Sequence, residues 1–208
     1  MNELPEIDNF QYIFHNDIPL IDTRAPIEFK RGAFPNTLNI PLMNDEERHL
    51  VGLDYKNNGR NSAIDLGYRL VSGDIKKNRM DAWLDFVRKH PNGALFCFRG
   101  GLRSEIAQKW IFDSSGIKYP RVKGGYKNMR RYLTKELEQL INLKNLLIIG
   151  GQTGCGKTLL LNQLENSIDL EKLANHRGSA FGQNIFPQPT QIAFENALAI
   201  EFIHKKNE

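Results

Sequence analysis

A single cysteine in a stretch rich in glycine and arginine is the strongest candidate for chemistry in this sequence. Cys97 begins the run Cys97-Phe98-Arg99-Gly100-Gly101-Leu102-Arg103-Ser104. The apolar run Ala94 to Phe96 predicts the end of a buried strand, and the spacing of Ile106, Trp110 and Ile111 predicts a helix that begins near Ser104. Cys97 is therefore expected where a strand passes into a helix.

The residues after Cys97 predict a cradle for an anion. Gly100 and Gly101 let the loop turn tightly with its amides pointing inward, and the helix N-terminus adds partial positive charge. Arg99 and Arg103 could clamp an anion with charged hydrogen bonds. Because a thiolate is itself an anion, the loop favours Cys97 as a nucleophile or sulfur carrier. The alternative is a buried structural cysteine, the usual fate of a lone cysteine.

A second anion site is predicted where Gly151-Gln152-Thr153-Gly154-Cys155-Gly156-Lys157-Thr158 matches the phosphate-loop pattern G-x-x-x-x-G-K-[ST]. A strand is expected over Asn145 to Ile149 and a helix over Leu159 to Leu164. Backbone amides would wrap phosphate groups, Lys157 would reach the terminal phosphates, and the Thr158 hydroxyl could bind Mg²⁺. No other metal site is assigned. The expected phosphate-binding residues are Gly151, Gly154, Gly156, Lys157 and Thr158.

The part of the sequence after Thr158 is short for a complete phosphate-loop domain. It predicts a short strand near Leu173, a loop over 175–182 and a helix over 190–205, but no apolar strand ends in an acid that could help to hold Mg²⁺. We therefore expect an incomplete second domain, whose apolar faces over 159–164 and 192–203 are poorly covered. Nucleotide hydrolysis by this chain alone is not expected.

Composition is that of an ordinary soluble protein with a mildly basic balance. Hydrophobic residues make up 40%, charged residues 25%, and the net charge is +4 with a pI near 9.0. The segment from Arg121 to Lys135 carries six basic residues and no acidic one. This segment predicts either a solvated helix face or a surface that binds a polyanion. The candidate contacts are Lys123, Lys127, Arg130 and Arg131.

Cysteine usage and the N-terminus bear on the compartment. The two cysteines, Cys97 and Cys155, lie in separate glycine-rich loops, which predicts free thiols in a reducing environment. The first nine residues do not resemble a signal peptide, and no apolar run approaches the length of a membrane span. A cytoplasmic protein without membrane association is expected.

Strands and helices alternate along the chain, which predicts an α/β fold with a parallel sheet and reactive loops at the carboxyl ends of its strands. Asp22 and Arg24 follow a buried strand and are expected to form a structural ion pair. The predicted domains are residues 1–130, a helical connector over 131–144, and residues 145–208. The other expected elements are strand-like pieces over 10–21, a strand over 38–40, a short helix with a mobile loop over 44–59, and helices over 61–72 and 79–89.

These motifs together resemble the tRNA 2-selenouridine synthase family, in which a rhodanese-like domain precedes a phosphate-loop domain. The resemblance extends along the whole chain. It is carried by Asp22-Thr23-Arg24-Ala25-Pro26 with Glu28-Phe29, Gly32 to Pro35, Pro41-Leu42-Met43 with Glu47-Arg48, Val51-Gly52, Tyr55-Lys56, Cys97 to Ser104, Tyr119 to Val122 with Gly124 to Lys127, the phosphate loop, and Asn175 to Ser179.

The resemblance implies a rhodanese-like parallel-sheet domain followed by an incomplete P-loop NTPase-like α/β unit. It also implies exchange of sulfur for selenium in the wobble 2-thiouridine of tRNA, with selenophosphate as donor and a geranylated intermediate made from geranyl diphosphate. A selenophosphate supplier and a missing C-terminal half are the implied partners. The phosphate loop would hold the prenyl diphosphate, and His176 and Arg177 could contact that ligand or the tRNA.

Loop length supports a role for a phosphate-sized anion. In single-domain rhodaneses the reactive loop resembles C-x₄-R, with four residues between the cysteine and the arginine. Here five residues separate Cys97 from Arg103, which gives C-x₅-R, so the longer loop is expected to form a wider cradle. Cys97 would carry the chalcogen, Arg99 and Arg103 would clamp selenophosphate, and the amides of Gly100 and Gly101 would line the cradle.

Three alternatives stay open. A phosphatase or arsenate reductase shares C-x₅-R, although Phe96 stands where such phosphatases usually place a histidine. A generic sulfurtransferase and an inactive tRNA-binding fragment are the others.

Overall fold

The chain divides into two units in a computed structural model that describes residues 4–152, 154–178, 182 and 184–205. The first unit comprises Met1–Lys30 and Asn36–Met129. The second comprises Arg31–Pro35 and Arg130–Glu208. None of the helices in these described ranges is both long enough and apolar enough to cross a membrane.

A parallel sheet forms the centre of the first unit. Its order is β1-β5-β4-β2-β3, and every pairing is parallel. The residues of β2 and β4 are buried throughout, as expected for central strands that read as continuous apolar runs. This sheet confirms the predicted α/β class. The strands are β1 (Glu6–Ile7), β2 (Leu20–Asp22), β3 (Thr37–Asn39), β4 (Ala94–Phe96) and β5 (Arg121–Val122).

Helices cover this sheet and close its core. Trp83 and Ile111 are fully buried in the core cluster, and the Trp83 Nε1–H donates to the Ile40 carbonyl at 2.9 Å, so its polar atom is satisfied. The predicted helices after residue 61, after residue 79 and after Cys97 are confirmed. The helices are α1 (Phe10–His15), α2 (Pro26–Arg31), α3 (Asp45–Leu70), α4 (Gly73–Lys89), α5 (Leu102–Ser115) and α6 (Gly125–Leu143).

Two expectations for the first unit are wrong. Residues 10–15 form helix α1 rather than a strand, because the Asn9 side chain accepts from the Tyr12 N–H and caps the helix while Ile13 and Phe14 are buried. Residues 44–59 form a helix rather than a short helix and a mobile loop. A capping box between Asn44 and Glu47 starts α3, which continues to Leu70 with a break at Gly59, where φ is 85° and ψ is −175°.

The second unit contains three further helices: α7 (Lys157–Leu161), α8 (Leu170–Leu173) and α9 (Gln191–His204). Asn196 on α9 is fully buried. Its amide donates to the Ala33 carbonyl at 2.8 Å and accepts from the Arg130 guanidinium at 3.0 Å. These bonds tie α9 to the segment Arg31–Pro35 and to the C-terminal part of α6 within this unit.

Three expectations for the second unit need correction. Residues 145–149 form no strand in the described chain, and Leu147 and Ile148 are 89% and 91% exposed. A strand needs a neighbour for its backbone hydrogen bonds, and the described residues pair none with this run. The region near Leu173 is helix α8, which Asp169 caps. The face over 159–164 is exposed at Leu159, as expected, whereas Ile200 and Phe202 of α9 are buried.

Candidate functional site

Cys97 follows a central strand of the sheet. Strand β4 lies between β5 and β2, and each of its residues is fully buried. Ligand sites of open parallel sheets lie beyond the carboxyl ends of the strands. Cys97 occupies that position and is itself only 3% exposed. The strand-to-helix placement that the sequence predicts for this thiol is confirmed.

A buried hydroxyl approaches the thiol. The Ser104 Oγ lies 3.1 Å from Cys97 Sγ and 2.9 Å from the Gly101 carbonyl oxygen. Ser104 is fully buried at the first turn of α5, and the one proton of its hydroxyl can be donated to the sulfur or to the Gly101 carbonyl. Ser104 therefore offers one neutral hydrogen bond to a sulfur anion. The sequence places Ser104 in the motif but does not single it out, because a serine at a helix start ordinarily acts as a cap.

Two pairs of glycines interlock around the cysteine. Gly100 has φ of +66° and Gly125 has φ of +56°. The N–H groups of Tyr126 and Lys127, at the start of α6, donate to the carbonyls of Cys97 and Phe98 at 2.9 and 3.0 Å. A Cβ on Gly125 would lie 2.2 Å from the Cys97 carbonyl oxygen. The Gly124-Gly125 pair is thus the support of the cysteine loop, a role that sequence reasoning missed.

The predicted ion pair beside β2 is confirmed. Arg24 donates from Nε and Nη2 to the Asp22 carboxylate at 2.6 to 3.0 Å, and both side chains are buried. Burial raises the pKa of Asp22, and the hydrogen bonds and charge of Arg24 oppose that rise. The Arg24 guanidinium also lies 3.7 Å from the ring centroid of Tyr126. This pair stiffens the loop that runs beside the cysteine.

The two candidate arginines of the cysteine loop differ. Arg103 forms a two-pronged ion pair with Glu28, at 2.5 and 3.2 Å, and Arg48 contacts the same carboxylate at 3.1 Å. Arg99 is exposed and makes no ion pair with any described residue; its guanidinium lies 5.8 Å from the ring centroid of Phe98. The sequence indicates neither Glu28 nor Arg48 as a partner, since Glu28 and Arg103 are 75 positions apart.

Charge compensation holds Glu28 ionised. Partial burial alone would raise the pKa of Glu28. The hydrogen bond and charge of Arg103, the hydrogen bond from the Ala25 N–H and the charge of Arg48 outweigh burial. The pKa of Glu28 is therefore lowered from its ordinary value of 4.5. Burial would likewise lower the pKa of Arg103, and Glu28 reverses that effect. Glu28 therefore stabilises the fold at neutral pH, and this contribution is lost as the pH falls through its lowered pKa.

Replacing Glu28 with glutamine is expected to destabilise the first unit by about 1 to 3 kcal/mol at pH 7, because two arginines lose their shared anion. The difference should shrink as the pH falls below 4.5, because the unfolded chain binds the proton first and the folded chain follows only at the lowered pKa of Glu28. Urea unfolding at pH 7 and pH 3.5 measures both quantities. Glu46→Gln, at an exposed position of α3, is the control. A loss that is equal at the two pH values would contradict this account.

The phosphate loop is folded onto its own lysine. The Lys157 ammonium donates to the carbonyls of Gly151 and Gln152 at 2.9 and 3.0 Å. Gly154 and Gly156 have φ of +84° and +90°, and Thr158 is exposed at the start of the short helix α7. Thr153 lies outside the described residues. Within the described chain, no three His, Cys, Asp or Glu side chains group closely enough to hold a metal ion.

The basic segment divides into bound and exposed side chains. Arg121 pairs with Glu6 and Glu105, and Arg130 pairs with Glu195. Lys123, Lys127, Arg131 and Lys135 are exposed and follow one another at intervals of four residues. Because residues four apart share a helix face, this spacing sets Lys127, Arg131 and Lys135 on one side of α6. Of the four predicted tRNA contacts, Arg130 is the one whose charge is paired with a carboxylate, that of Glu195.

The segment Asn175 to Gly178 is built around hydrogen bonds of its own. The Asn175 amide donates to the carbonyls of Phe186 and Pro187, and the Gly178 N–H donates to His176 Nδ1 at 3.0 Å. Arg177 is exposed. Ser179 lies outside the described residues. The structure thus fixes His176 locally and leaves the Arg177 side chain open to solvent.

Fold and site define an α/β protein whose buried thiol lies at the carboxyl edge of a parallel sheet, followed by a unit with a phosphate-loop sequence. Residues 144–208 match the family model described as the tRNA 2-selenouridine synthase AAA domain. The whole chain is 54% identical to the tRNA 2-selenouridine synthase of Sulfurovum sp. (strain NBC37-1) and 55% identical to that of Marinobacter nauticus. Along its whole length, the chain is therefore similar in sequence to tRNA 2-selenouridine synthases.

The matches cover the chain and its relatives unequally. All of this chain aligns with the Sulfurovum and Marinobacter proteins, but it spans only 57% and 56% of their lengths. The enzyme of Bordetella petrii is 53% identical over 97% of the chain and 54% of its own length. Little more than half of each relative is therefore represented here.

One solved structure shares the fold. It is the N-terminal domain of a protein from Clostridium difficile 630 that is described as an ATP/GTP binding protein. The match has a TM-score of 0.52 and 24% identity, and it covers 62% of this chain and 98% of that domain. At this identity the likeness concerns the α/β fold alone.

Proposed function

We propose that this chain is the thiol-bearing part of a tRNA 2-selenouridine synthase, which replaces sulfur with selenium in the wobble 2-thiouridine of tRNA. Selenophosphate would supply the selenium, and a geranylated intermediate made from geranyl diphosphate would precede the exchange. The supporting observation is the buried Cys97, held at the carboxyl edge of β4 in a chain that aligns over its own length with part of such an enzyme. With two free cysteines and tRNA as substrate, the cytoplasm is the proposed location.

In this proposal Cys97 is the nucleophile that carries the chalcogen. Ser104 donates to the sulfur, the amides of Gly100 and Gly101 line the cradle, and the exposed Arg99 clamps the selenophosphate dianion or trianion. Arg103 keeps its ion pair with Glu28 and offers its remaining N–H groups. Of these two arginines, Arg99 has the charge that is open to an anion, because it makes no ion pair with a described side chain, whereas Arg103 is paired with Glu28.

The second anion site is proposed to hold the diphosphate of the prenyl donor. Gly151, Gly154 and Gly156 shape the loop, Lys157 would exchange its two carbonyl contacts for phosphate oxygens, and the Thr158 hydroxyl would add one oxygen ligand to Mg²⁺. The domains proposed are a rhodanese-like domain over 1–130, a connector over 131–144 and a phosphate-loop domain over 145–208. A C-terminal half like that of the relatives would pair with the exposed run 145–149.

The experiment is selenium transfer to RNA. The chain, alone and co-expressed with the remaining C-terminal part of the Sulfurovum relative, is incubated with a 2-thiouridine anticodon stem-loop, geranyl diphosphate and radiolabelled selenophosphate. We expect 2-selenouridine from the paired halves. Absence of selenium in the RNA from both preparations overturns the proposal. Cys97-dependent release of phosphate from an aryl phosphate would favour the phosphatase alternative instead.

Exposed cations are proposed as the tRNA contacts, and each should strengthen binding by neutralising the charge of about one phosphate group. Lys127→Ala is expected to weaken binding of the stem-loop about threefold to tenfold and to lower the salt slope of log K by about one. Lys89→Ala is the control, because this exposed lysine of α4 is paired with Asp85. Arg130→Ala should leave the slope unchanged. Fluorescence anisotropy across a salt series gives both values, and an unchanged slope for Lys127→Ala rejects this contact.

A further inference from the structure

An open groove lined by basic side chains lies between the N-terminal part of α3 and the start of α5. Its volume is about 380 Å³, which is within the range of sites for small molecules. Arg48 and His49 of α3 and Arg103 of α5 supply nitrogen atoms to its wall, and aliphatic side chains complete it. No Asp or Glu is among the described residues that line the groove. The wall therefore favours an anion.

The two arginines of the groove carry more positive charge than their partner can balance. Glu28 accepts from Arg48 Nε at 3.1 Å and from Arg103 at 2.5 and 3.2 Å, so one carboxylate serves two guanidinium groups. The Arg48 side chain is 44% exposed. Because Arg48 meets the carboxylate through Nε, its two terminal nitrogens can donate to a second anion. A phosphate group has the size and charge for that position.

An aromatic ring stands on the same side of α3 as this arginine. Tyr55 lines the groove and is 60% exposed. Arg48, Gly52 and Tyr55 are spaced by four and three residues, so they follow one another along one face of the helix. An exposed ring beside surplus cations is the arrangement that binds a nucleotide, because the base stacks on the ring while the cations hold the phosphate.

The glycine between them leaves the groove open. Gly52 lies inside α3, where glycine is the poorest residue for helix stability apart from proline. Its φ is not positive, and no atom lies within 4 Å of its ideal Cβ position. Neither backbone conformation nor crowding therefore requires a glycine here. Any larger side chain would project into the groove that Gly52 lines.

We infer that this groove binds one nucleotide of a single-stranded RNA, with its phosphate on Arg48 and Arg103 and its base against Tyr55. A single strand is required because bases stacked inside a duplex do not offer their faces to a side chain. Arg103 belongs to the cysteine loop, so the next nucleotide of the same strand would lie beside Cys97. Only that last placement rests on the proposed function, in which the anticodon loop supplies the strand.

Fluorescence anisotropy of the whole chain with a labelled strand of seven uridines, across a salt series, tests the inference. Tyr55→Leu is expected to weaken binding about fivefold or more and to leave the salt slope unchanged, because the lost ring is neutral. Arg48→Gln should lower the salt slope by about 0.7. Tyr12→Leu and Arg88→Gln, at exposed positions of α1 and α4, are the matched controls and should bind like the parent chain.

Gly52→Leu separates binding from folding. Leucine favours a helix more than glycine does, so thermal stability should not fall, whereas the filled groove should bind the strand about tenfold more weakly or worse. Asn57→Leu, at an exposed position of α3 outside the groove, is the control and should bind normally. If Gly52→Leu fails to fold, the Tyr55→Leu result decides.

The outcomes distinguish this inference from the proposed function. Parent-like affinity of Tyr55→Leu or of a folded Gly52→Leu overturns the inference, whatever the selenium assay gives. Competition by free uridine monophosphate as strong as that by the strand also overturns it, since the groove would then serve a free nucleotide. Groove-dependent binding of the strand by a chain that transfers no selenium in any preparation supports the inference and overturns the proposed function.

Discussion

Replacing Cys97 with serine is expected to lower capture of radiolabelled selenium by this chain at least 100-fold. Only the thiolate can attack the selenium of selenophosphate at neutral pH, whereas the serine hydroxyl stays protonated. The S–Se bond forms as the P–Se bond breaks, and phosphorus keeps that electron pair and leaves as phosphite, so the step needs no further oxidant. The loop should otherwise be intact, since the change alters one buried atom and leaves the Ser104 and glycine contacts in place. Autoradiography of the chain after incubation with labelled selenophosphate, without reductant, measures the captured selenium.

Cys155→Ser is the matched control for that variant. Cys155 is exposed in the phosphate loop, while Cys97 is buried, so the two thiols differ in setting although both are free. The Cys155 variant should capture as much selenium as the parent chain. Capture that persists in Cys97→Ser, or that disappears in Cys155→Ser, would assign the carrier role to the other thiol.

Gly125→Ala is expected to destabilise the first unit by about 3 kcal/mol or more. A left-handed backbone costs a residue with a side chain about 1 to 2 kcal/mol, and overpacking adds about 1 to 3 kcal/mol. The new Cβ would meet the Cys97 carbonyl oxygen at 2.2 Å and the Gly100 nitrogen at 2.5 Å. Both are backbone atoms, so no side chain can swing away. The cysteine loop should separate from the start of α6, with loss of selenium capture.

Gly101→Ala provides the comparison within the same site. Gly101 has φ of −101°, and no atom lies within 4 Å of its ideal Cβ position. Its replacement should change stability by less than about 0.5 kcal/mol, the usual range for an open surface position. Thermal and urea unfolding, followed by circular dichroism, compare the two variants. Equal stabilities would show that the glycine interlock is not what holds the loop.

Local features of the sequence predict the reactive loop well. Strand β4, Cys97 and helix α5 form one continuous stretch, so their periodicity and turn residues are visible together. The Asp22 and Arg24 pair is equally local. Glu28 could not be predicted as the partner of Arg103, and Gly125 could not be predicted as a support for Cys97, because each contact joins distant segments. Composition marks such residues as charged or flexible but does not say what they meet.

The errors have physical causes as well. The apolar residues within 10–15 form too short a pattern to distinguish a strand from a helix. The Asn9 side chain, which accepts from the Tyr12 N–H, caps and so stabilises a helix there. The run 145–149 has strong strand propensity, but the described chain pairs no neighbour with it, and propensity without a partner gives no strand. Near Leu173 the signal was a few apolar residues, and the Asp169 cap again favours a helix turn.

The interlocked glycines also bear on how the site comes into being during synthesis. Cys97 leaves the ribosome before Gly125 and Tyr126, whose backbone holds its loop, and β1 must wait for β5, since Glu6 pairs with Arg121 across the sheet edge. These are contacts of long sequence separation, which form late because loop closure must precede them. The nascent chain therefore exposes an unsupported thiol until the start of α6 has emerged. The reactive loop becomes complete only when the backbone of Tyr126 and Lys127 has docked against it, so burial of the thiol follows the start of α6.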